Sequence, residues 1–369
     1  MGDPPDLPDY SGACLNNVVP ALLGPAGTTS IPAWMPEPVR GARQLVLLVL
    51  DGLGWEQLGQ RHALAPTLSA MAGGWVHTVV PSTTATALTS IAVGLTPGEH
   101  GVVGYRIDVH GEVLNVLRWS TPHGDARKRV PPAQLQPVPP FMGANIPVVT
   151  RAEFNGSGFS LAHLAGTRHV GYRASSTLVV EVRRLLTAGE RFVYAYYDGI
   201  DKVAHEYGLG AHYDQELRSV DRLVADILSE LPPGAVLLVT ADHGQVDVGA
   251  NIVVPASEVL ALTDRQSGEG RFRWLHARSG AVADLAEAAA GAHGDQAWVV
   301  TLEQVRDEGW FGPRLTPQSR ERLGDVALVA RGAVSFDDPA DTGPFELISR
   351  HGSLTAAEMR VPLLAAANP

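Results

Sequence analysis

Gln44-Leu-Val-Leu-Leu-Val-Leu-Asp51-Gly52-Leu53-Gly54 decides how this chain folds. The apolar run from Leu45 to Leu50 is continuous rather than alternating, so it predicts a strand buried on both faces, as in a parallel sheet. It stops at an acid and a glycine. The same grammar recurs at Arg191-Phe-Val-Tyr-Ala-Tyr-Tyr197 before Asp198, and at Ala235-Val-Leu-Leu-Val-Thr240 before Ala241-Asp242-His243-Gly244. In an open parallel sheet the carboxyl ends of the strands share one rim, and ligands bind there. Acids far apart in sequence are therefore expected to converge.

Between the strands the patterning is helical, over about Thr84–Val93, Ser176–Leu186 and Asp214–Leu231, the last stopped by Pro232-Pro233-Gly234. Strands alternating with helices predict an α/β fold: a doubly wound, mainly parallel central sheet flanked by helices. Residues 1–44 read as a Pro- and Gly-rich arm wrapped over the surface, and 45–369 as the catalytic domain. Within it, 105–150 is proline-laden and without a clear period, an excursion over the active rim. Residues 251–345 hold an Ala-rich helix near 281–292 and strand-like stretches at Ala297–Thr301 and Asp325–Ala330, which suits a smaller, lid-like inserted subdomain.

Composition narrows the function. Against 28 Lys and Arg stand 39 Asp and Glu, a formal charge of −11, which argues against a nucleic-acid groove. The longest apolar run is far short of the roughly 18 residues that cross a bilayer. The single cysteine, Cys14, cannot form an internal disulfide, and the opening MGDPPDLPDYSGACLNNVVP lacks a basic start and an apolar stretch, so a cytoplasmic location is expected.

Five short stretches carry residues suited to chemistry. Asp51 sits on a strand-end turn, a place where Asp-Gly is commonly just a turn. Ser82-Thr83-Thr84 precedes a helix, where hydroxyls commonly act as caps; one of them could instead face the rim, beside the positive end of the helix. Asp201 and His205, at i and i+4, share one helical face and can hold one cation together or simply bond to each other. Asp242-His243-Gly244 lies on a strand-end turn from which both side chains can reach one ion. His351-Gly352 lies near the end of the chain. The remaining histidines, His100 included, read as structural or solvated.

Taken in order, these motifs resemble the alkaline phosphatase superfamily, and within it the nucleotide pyrophosphatase/phosphodiesterase group. The resemblance rests on Asp51, on Thr84 with the following Thr96-Pro-Gly-Glu-His-Gly101, on Asp201-x-x-x-His205-x-x-Gly208, on Ala241-Asp-His-Gly244 and on His351-Gly352. It implies one metal ion held by Asp201, His205 and His351, and a second held by Asp51, Asp242 and His243. Thr84 is then the nucleophile, bridging to the second ion, with Thr83 as the fallback; the family spacing to the glycine that closes the helix, here Gly94, selects Thr84. A mixed oxygen and nitrogen donor set without thiolate suits zinc and accepts manganese.

The resemblance further implies a two-metal hydrolase of phosphate esters, acting on phosphodiester or nucleotide pyrophosphate bonds through a covalent phospho-threonine. Three ligand carboxylates against two divalent ions leave a charge of about +1, so a small-molecule phosphate ester can enter an otherwise acidic protein. The alternatives are a phosphomonoesterase, a phosphonate hydrolase or a phosphomutase of the same superfamily, and, outside enzymes, an inactive metal- or nucleotide-binding protein. Arg106 and Arg173 are candidates for a further contact to a substrate oxygen, or are surface cations.

Overall fold

The structure, a computed structural model, describes residues 3–342 and 346–368. Its centre is a seven-stranded sheet. In chain order the strands are β1 (Gln44–Leu50), β2 (Ala72–His77), β3 (Pro147–Arg151), β4 (Arg168–Tyr172), β5 (Phe192–Tyr197), β6 (Ala235–Thr240) and β7 (Arg360–Ala367). In space they run β2-β7-β6-β1-β5-β3-β4. The five from β6 to β4 pair in parallel, while β7 is antiparallel to both β6 and β2. Continuous apolarity means what it predicted: every β1 residue from Leu45 to Leu50 is buried. Helices flank the sheet: α1 (Thr84–Val93), α2 (Ser175–Thr187), α3 (Gly199–Tyr207) and α4 (Ala211–Ser229).

The strand order places the chemistry. Because β6, β1 and β5 are neighbours in parallel register, with Val49 opposite Thr240 and Leu50 opposite Tyr197, their carboxyl ends lie side by side. Neighbouring strands are about 4.8 Å apart. Asp51, Asp242 and the start of α3 therefore meet on one rim.

Three further segments complete the frame. The N-terminal arm does more than cover the surface: Cys14, Leu15, Val18 and Val19 are fully buried in the main core, and Cys14 bridges to His77 on β2. Residues 106–125 form a small antiparallel sheet whose strands, of four residues or two, are too short to show a period in the sequence. Residues 263–330 contain an antiparallel sheet ordered Thr263–Glu269, Phe272–Ala277, Val326–Ala330, Ala297–Thr301, packed on the helix Val282–His293. Among the described residues no helix is long and apolar enough to cross a membrane.

Candidate metal centre

Asp51 leaves β1 with its carboxylate buried. Gly52, at φ +78°, makes the turn; a Cβ there would stand 2.9 Å from the Gln245 amide and 3.0 Å from the Asp201 backbone, so the close approach of β1 to α3 requires glycine. The Gly52 N–H donates to Asp242 Oδ1 at 3.0 Å, tying the first strand end to the third. Asp51 Oδ2 accepts from the Tyr196 hydroxyl, whereas Asp51 Oδ1 and Asp242 Oδ2 are buried with no hydrogen-bond partner. Buried carboxylate oxygens are normally satisfied, and two orphans on one rim fit a cation-binding role.

Each of the three imidazoles is committed in the same sense. Nδ1 of His205 lies 2.7 Å from the Ser349 carbonyl, Nδ1 of His243 lies 3.0 Å from the Gly244 carbonyl, and Nδ1 of His351 lies 3.0 Å from the Ser82 carbonyl. A carbonyl can only accept, so Nδ1 carries the proton, and in a neutral ring Nε2 presents its lone pair. All three Nε2 atoms turn into the cluster. His205 Nε2 is 3.2 Å and His351 Nε2 3.8 Å from Asp201 Oδ1; His243 Nε2 is 3.4 Å from Asp51 Oδ1 and 3.5 Å from Asp242 Oδ2. The His243 and His351 rings stack at 3.6 Å.

Two overlapping groups follow. Ligand atoms of Asp201, His205 and His351 all lie within 4.8 Å of one another, as do those of Asp51, Asp201 and His243. The first is the triad expected from the sequence. In the second Asp201 stands where the expectation had Asp242, which spends Oδ1 on the backbone N–H groups of Gly52 and His243 and keeps Oδ2 free toward the His243 ring. All six residues thus reach one cluster, with Asp201 between the two halves. Thr84, the first residue of α1, joins them: its Oγ1 is 3.1 Å from His243 Nε2.

The electrostatics match a site built around positive charge. Burial, then the neighbouring Asp242 and Asp201, pushes the Asp51 carboxyl well above its ordinary range. Burial raises Asp242 as well, against a lowering pull from His243. Burial, then His243 and His205, drives His351 well below an ordinary imidazole. Crowded buried carboxylates, with the lowered His351 imidazole beside them, favour a bound cation.

Asp51, Thr84 and Asp201 also floor a cavity of about 250 Å³ whose walls include Leu88, Phe154, Phe159 and Tyr194. Lys202 stands at its edge, paired with Asp198 at 2.5 Å. Arg106 and Arg173 are elsewhere: Arg106 is buried in an ion pair with Asp338, and Arg173 is exposed beside Glu153. Sequence reasoning missed Tyr196 and Gln245. Gln245 donates to Asp201 Oδ1 at 2.5 Å and accepts from the Ser349 hydroxyl, linking both ends of the triad. Tyr196 had a signal, since it alternates with Tyr194 on one face of β5, toward the cavity.

The geometry agrees with a comparison against known families. The model of the type I phosphodiesterase/nucleotide pyrophosphatase family matches residues 45–354. The chain belongs to this family. It is accordingly a hydrolase of the phosphodiesterase/nucleotide pyrophosphatase group of the alkaline phosphatase superfamily. Solved structures share its fold. Murine ectonucleotide pyrophosphatase/phosphodiesterase 5 is 15% identical over 88% of each chain, with a TM-score of 0.65. An inactive form of that murine protein, in complex with AMP, is 14% identical over 88% of each chain, also with a TM-score of 0.65. Phosphonoacetate hydrolase from Sinorhizobium meliloti 1021, in complex with phosphonoformate, is 19% identical over 88% of this chain and 90% of its own, with a TM-score of 0.64. No curated protein matches the sequence.

Proposed function

We propose that this member of the family is a two-metal hydrolase of phosphodiester or nucleotide pyrophosphate bonds, with Thr84 as the nucleophile that carries the phosphoryl group. The observation that carries the reading is the convergence of three Nε2 atoms, each on a ring anchored through Nδ1 to a backbone carbonyl, and two orphan carboxylate oxygens beside one threonine hydroxyl. Asp201, His205 and His351 would hold one divalent ion, and Asp51, Asp242 and His243 the other, with Asp201 within reach of both. The donor set suits zinc and accepts manganese. Bound there, such ions lower the pKa of a hydroxyl and stabilise developing negative charge.

The chain's own residues do the rest. Thr84 opens α1, so the unpaired N–H groups and positive end of that ten-residue helix face an arriving phosphoryl oxygen. Attack by Thr84 Oγ1 forms one P–O bond as the bond to the leaving oxygen breaks; water then cleaves phospho-Thr84 and regenerates the hydroxyl. The adjoining cavity, apolar and aromatic on its walls, takes the apolar or ring-bearing side of the ester. That wall favours a diester or nucleotide over a small carboxylated phosphonate, since the Lys202 ammonium at the edge is already spent on Asp198. Residues 251–345, of which 343–345 lie outside the described residues, belong to this reading as an inserted subdomain of the catalytic domain, in a chain proposed to be cytoplasmic.

The test is Thr84→Ala in the zinc- or manganese-loaded protein. Turnover of bis(p-nitrophenyl) phosphate should vanish while metal content stays near the parent's, because the six scaffold ligands remain. A variant at parental rate rules out Thr84 as nucleophile. Faster cleavage of p-nitrophenyl phosphate than of the diester by the parent protein would assign a monoesterase instead.

A further inference from the structure

The hairpin Thr263–Ala277 turns at Gly270-Arg271, and its tip reaches out of the inserted sheet into the main domain. Arg271 and Glu358 are both fully buried and form a bidentate pair, Nε to Oε1 at 2.7 Å and Nη2 to Oε2 at 2.8 Å. The Glu358 carbonyl accepts from Gly244 N–H at 2.9 Å, directly after His243, and its Oε1 accepts from Ser353 N–H at 2.9 Å, directly after Gly352. One arginine thus anchors the tip where both late ligand turns meet. Two residues earlier, Glu269 enters the gap between the nucleophile turn and the His351 loop.

Glu269 is buried, and no catalytic step above uses it. Its Oε2 lies 3.8 Å from His351 Nδ1, its carboxyl stands beside the Thr83 side chain, and Oε1 has no partner. Gly352 is shaped around it: at φ +121°, a Cβ on Gly352 would stand 2.6 Å from Glu269 Cδ and 2.9 Å from Oε2. The two backbones it touches already clasp each other, through Ser82 Oγ to the Ser353 carbonyl at 2.6 Å and His351 Nδ1 to the Ser82 carbonyl at 3.0 Å. The carboxyl fills the corner behind that clasp.

We propose that Glu269 is a positioning residue: from the tip of the inserted hairpin it braces the Thr83–Thr84 turn against the His351 loop and holds nucleophile and imidazole in register. The inference rests on the roles given above to Thr84 and His351. It makes the hairpin a strut of the reaction centre, and it assigns the glycine of His351-Gly352 to the space that carboxyl requires. Misplacing a reacting group by about 1 Å costs up to about 100-fold in rate, so the effect belongs in kcat.

The experiment uses the full, zinc-loaded chain with Glu269→Ala, Glu269→Gln, Thr83→Val and the Glu269→Ala/Thr83→Val double variant. Steady-state kinetics on bis(p-nitrophenyl) phosphate are read beside zinc retained after dialysis against a weak chelator. Glu269→Ala is expected to lose about 10–100-fold in kcat with KM within about threefold, and to retain zinc less well. Glu269→Gln, which keeps volume and an acceptor, should stay within about threefold of the parent in both readouts. Adding Thr83→Val to Glu269→Ala should cost no more than about a further twofold, since the pair acts as one unit. Parental kcat or parental zinc retention in Glu269→Ala, equal damage in Glu269→Gln, or full additivity in the double variant each overturns the proposal. If Glu269→Ala does not fold, Thr83→Val at parental kcat overturns it. Zinc retention keeps this result separate from the nucleophile assignment, which Thr84→Ala decides alone.

Discussion

Replacing Tyr196 by Phe removes one oxygen atom from a fully packed position and leaves the ring in place against Phe154. The lost hydroxyl is the donor to Asp51 Oδ2, and Asp51 Oδ1 already has no protein partner. In the proposed metal-bound form that hydroxyl would hold the Asp51 carboxylate from its Oδ2 side, leaving Oδ1 for the cluster. Partners of this kind are worth about 10–100-fold in metal affinity, or about 1.4–2.7 kcal/mol. The loaded form should lose that amount, so the metal-induced rise in thermal stability shrinks in Tyr196→Phe, as mass action requires. The assay is zinc affinity by chelator competition, with melting curves recorded with and without the metal. Affinity within threefold of the parent, with an unchanged metal-induced shift, would refute Asp51 as a ligand held in place by Tyr196.

Three further outcomes are expected. His351→Ala should lose one of two bound ions while keeping its far-ultraviolet dichroism, because the ligand hangs on a loop outside the sheet; metal analysis showing both ions retained removes His351 from the ligand set. Phe159→Ala opens the cavity wall where that ring stacks on His163 at 3.9 Å, and a lost apolar contact of about 1.5–3 kcal/mol should lower kcat/KM for bis(p-nitrophenyl) phosphate at least tenfold relative to methyl p-nitrophenyl phosphate; an unchanged ratio places the substrate elsewhere. His100 is neutral in the fold, donating to Ser90 Oγ and accepting from Val102 N–H, and burial lowers its pKa from 6.5 to about 3. The unfolded chain therefore binds the proton more readily, so this stability is whole above about pH 6.5 and falls as the pH drops toward 3, by about 2 kcal/mol at pH 5. His100→Gln should narrow the difference between urea midpoints at pH 7 and pH 5, and equal differences in the two proteins contradict the assignment.

The parts of the fold that could be read in the sequence are those buried on both faces. β1, β5 and β6 carry uninterrupted apolar runs, and α1 begins at Thr84 and ends before Gly94 as its pattern predicts. β2 and β7 hid because Gly73-Gly74 and Pro362 break any strand signal; only tertiary pairing, with Gly74 opposite Leu363, makes them strands. The hairpin Thr263–Ala277 hid for the opposite reason, because Arg271 and Arg273 read as solvent-facing and are in fact buried against Glu358 and Asp341. At the site, the motif order found the six clustered side chains and Thr84. It could not find what orients them, since Tyr196, Gln245 and Glu269 lie outside any motif and meet the ligands only in three dimensions.

The histidine anchors have a consequence for how this centre can vary. All three rings are aligned by peptide oxygens, at Ser349, Gly244 and Ser82, which no side-chain replacement can delete. The carboxylates are aligned in part by exchangeable groups, a phenol on Asp51 and an amide on Asp201. Mutational drift can therefore retune the acidic half of the cage one substitution at a time, whereas the nitrogen half moves only when the main chain does, and relatives with shifted metal preference should differ first at positions 196 and 245.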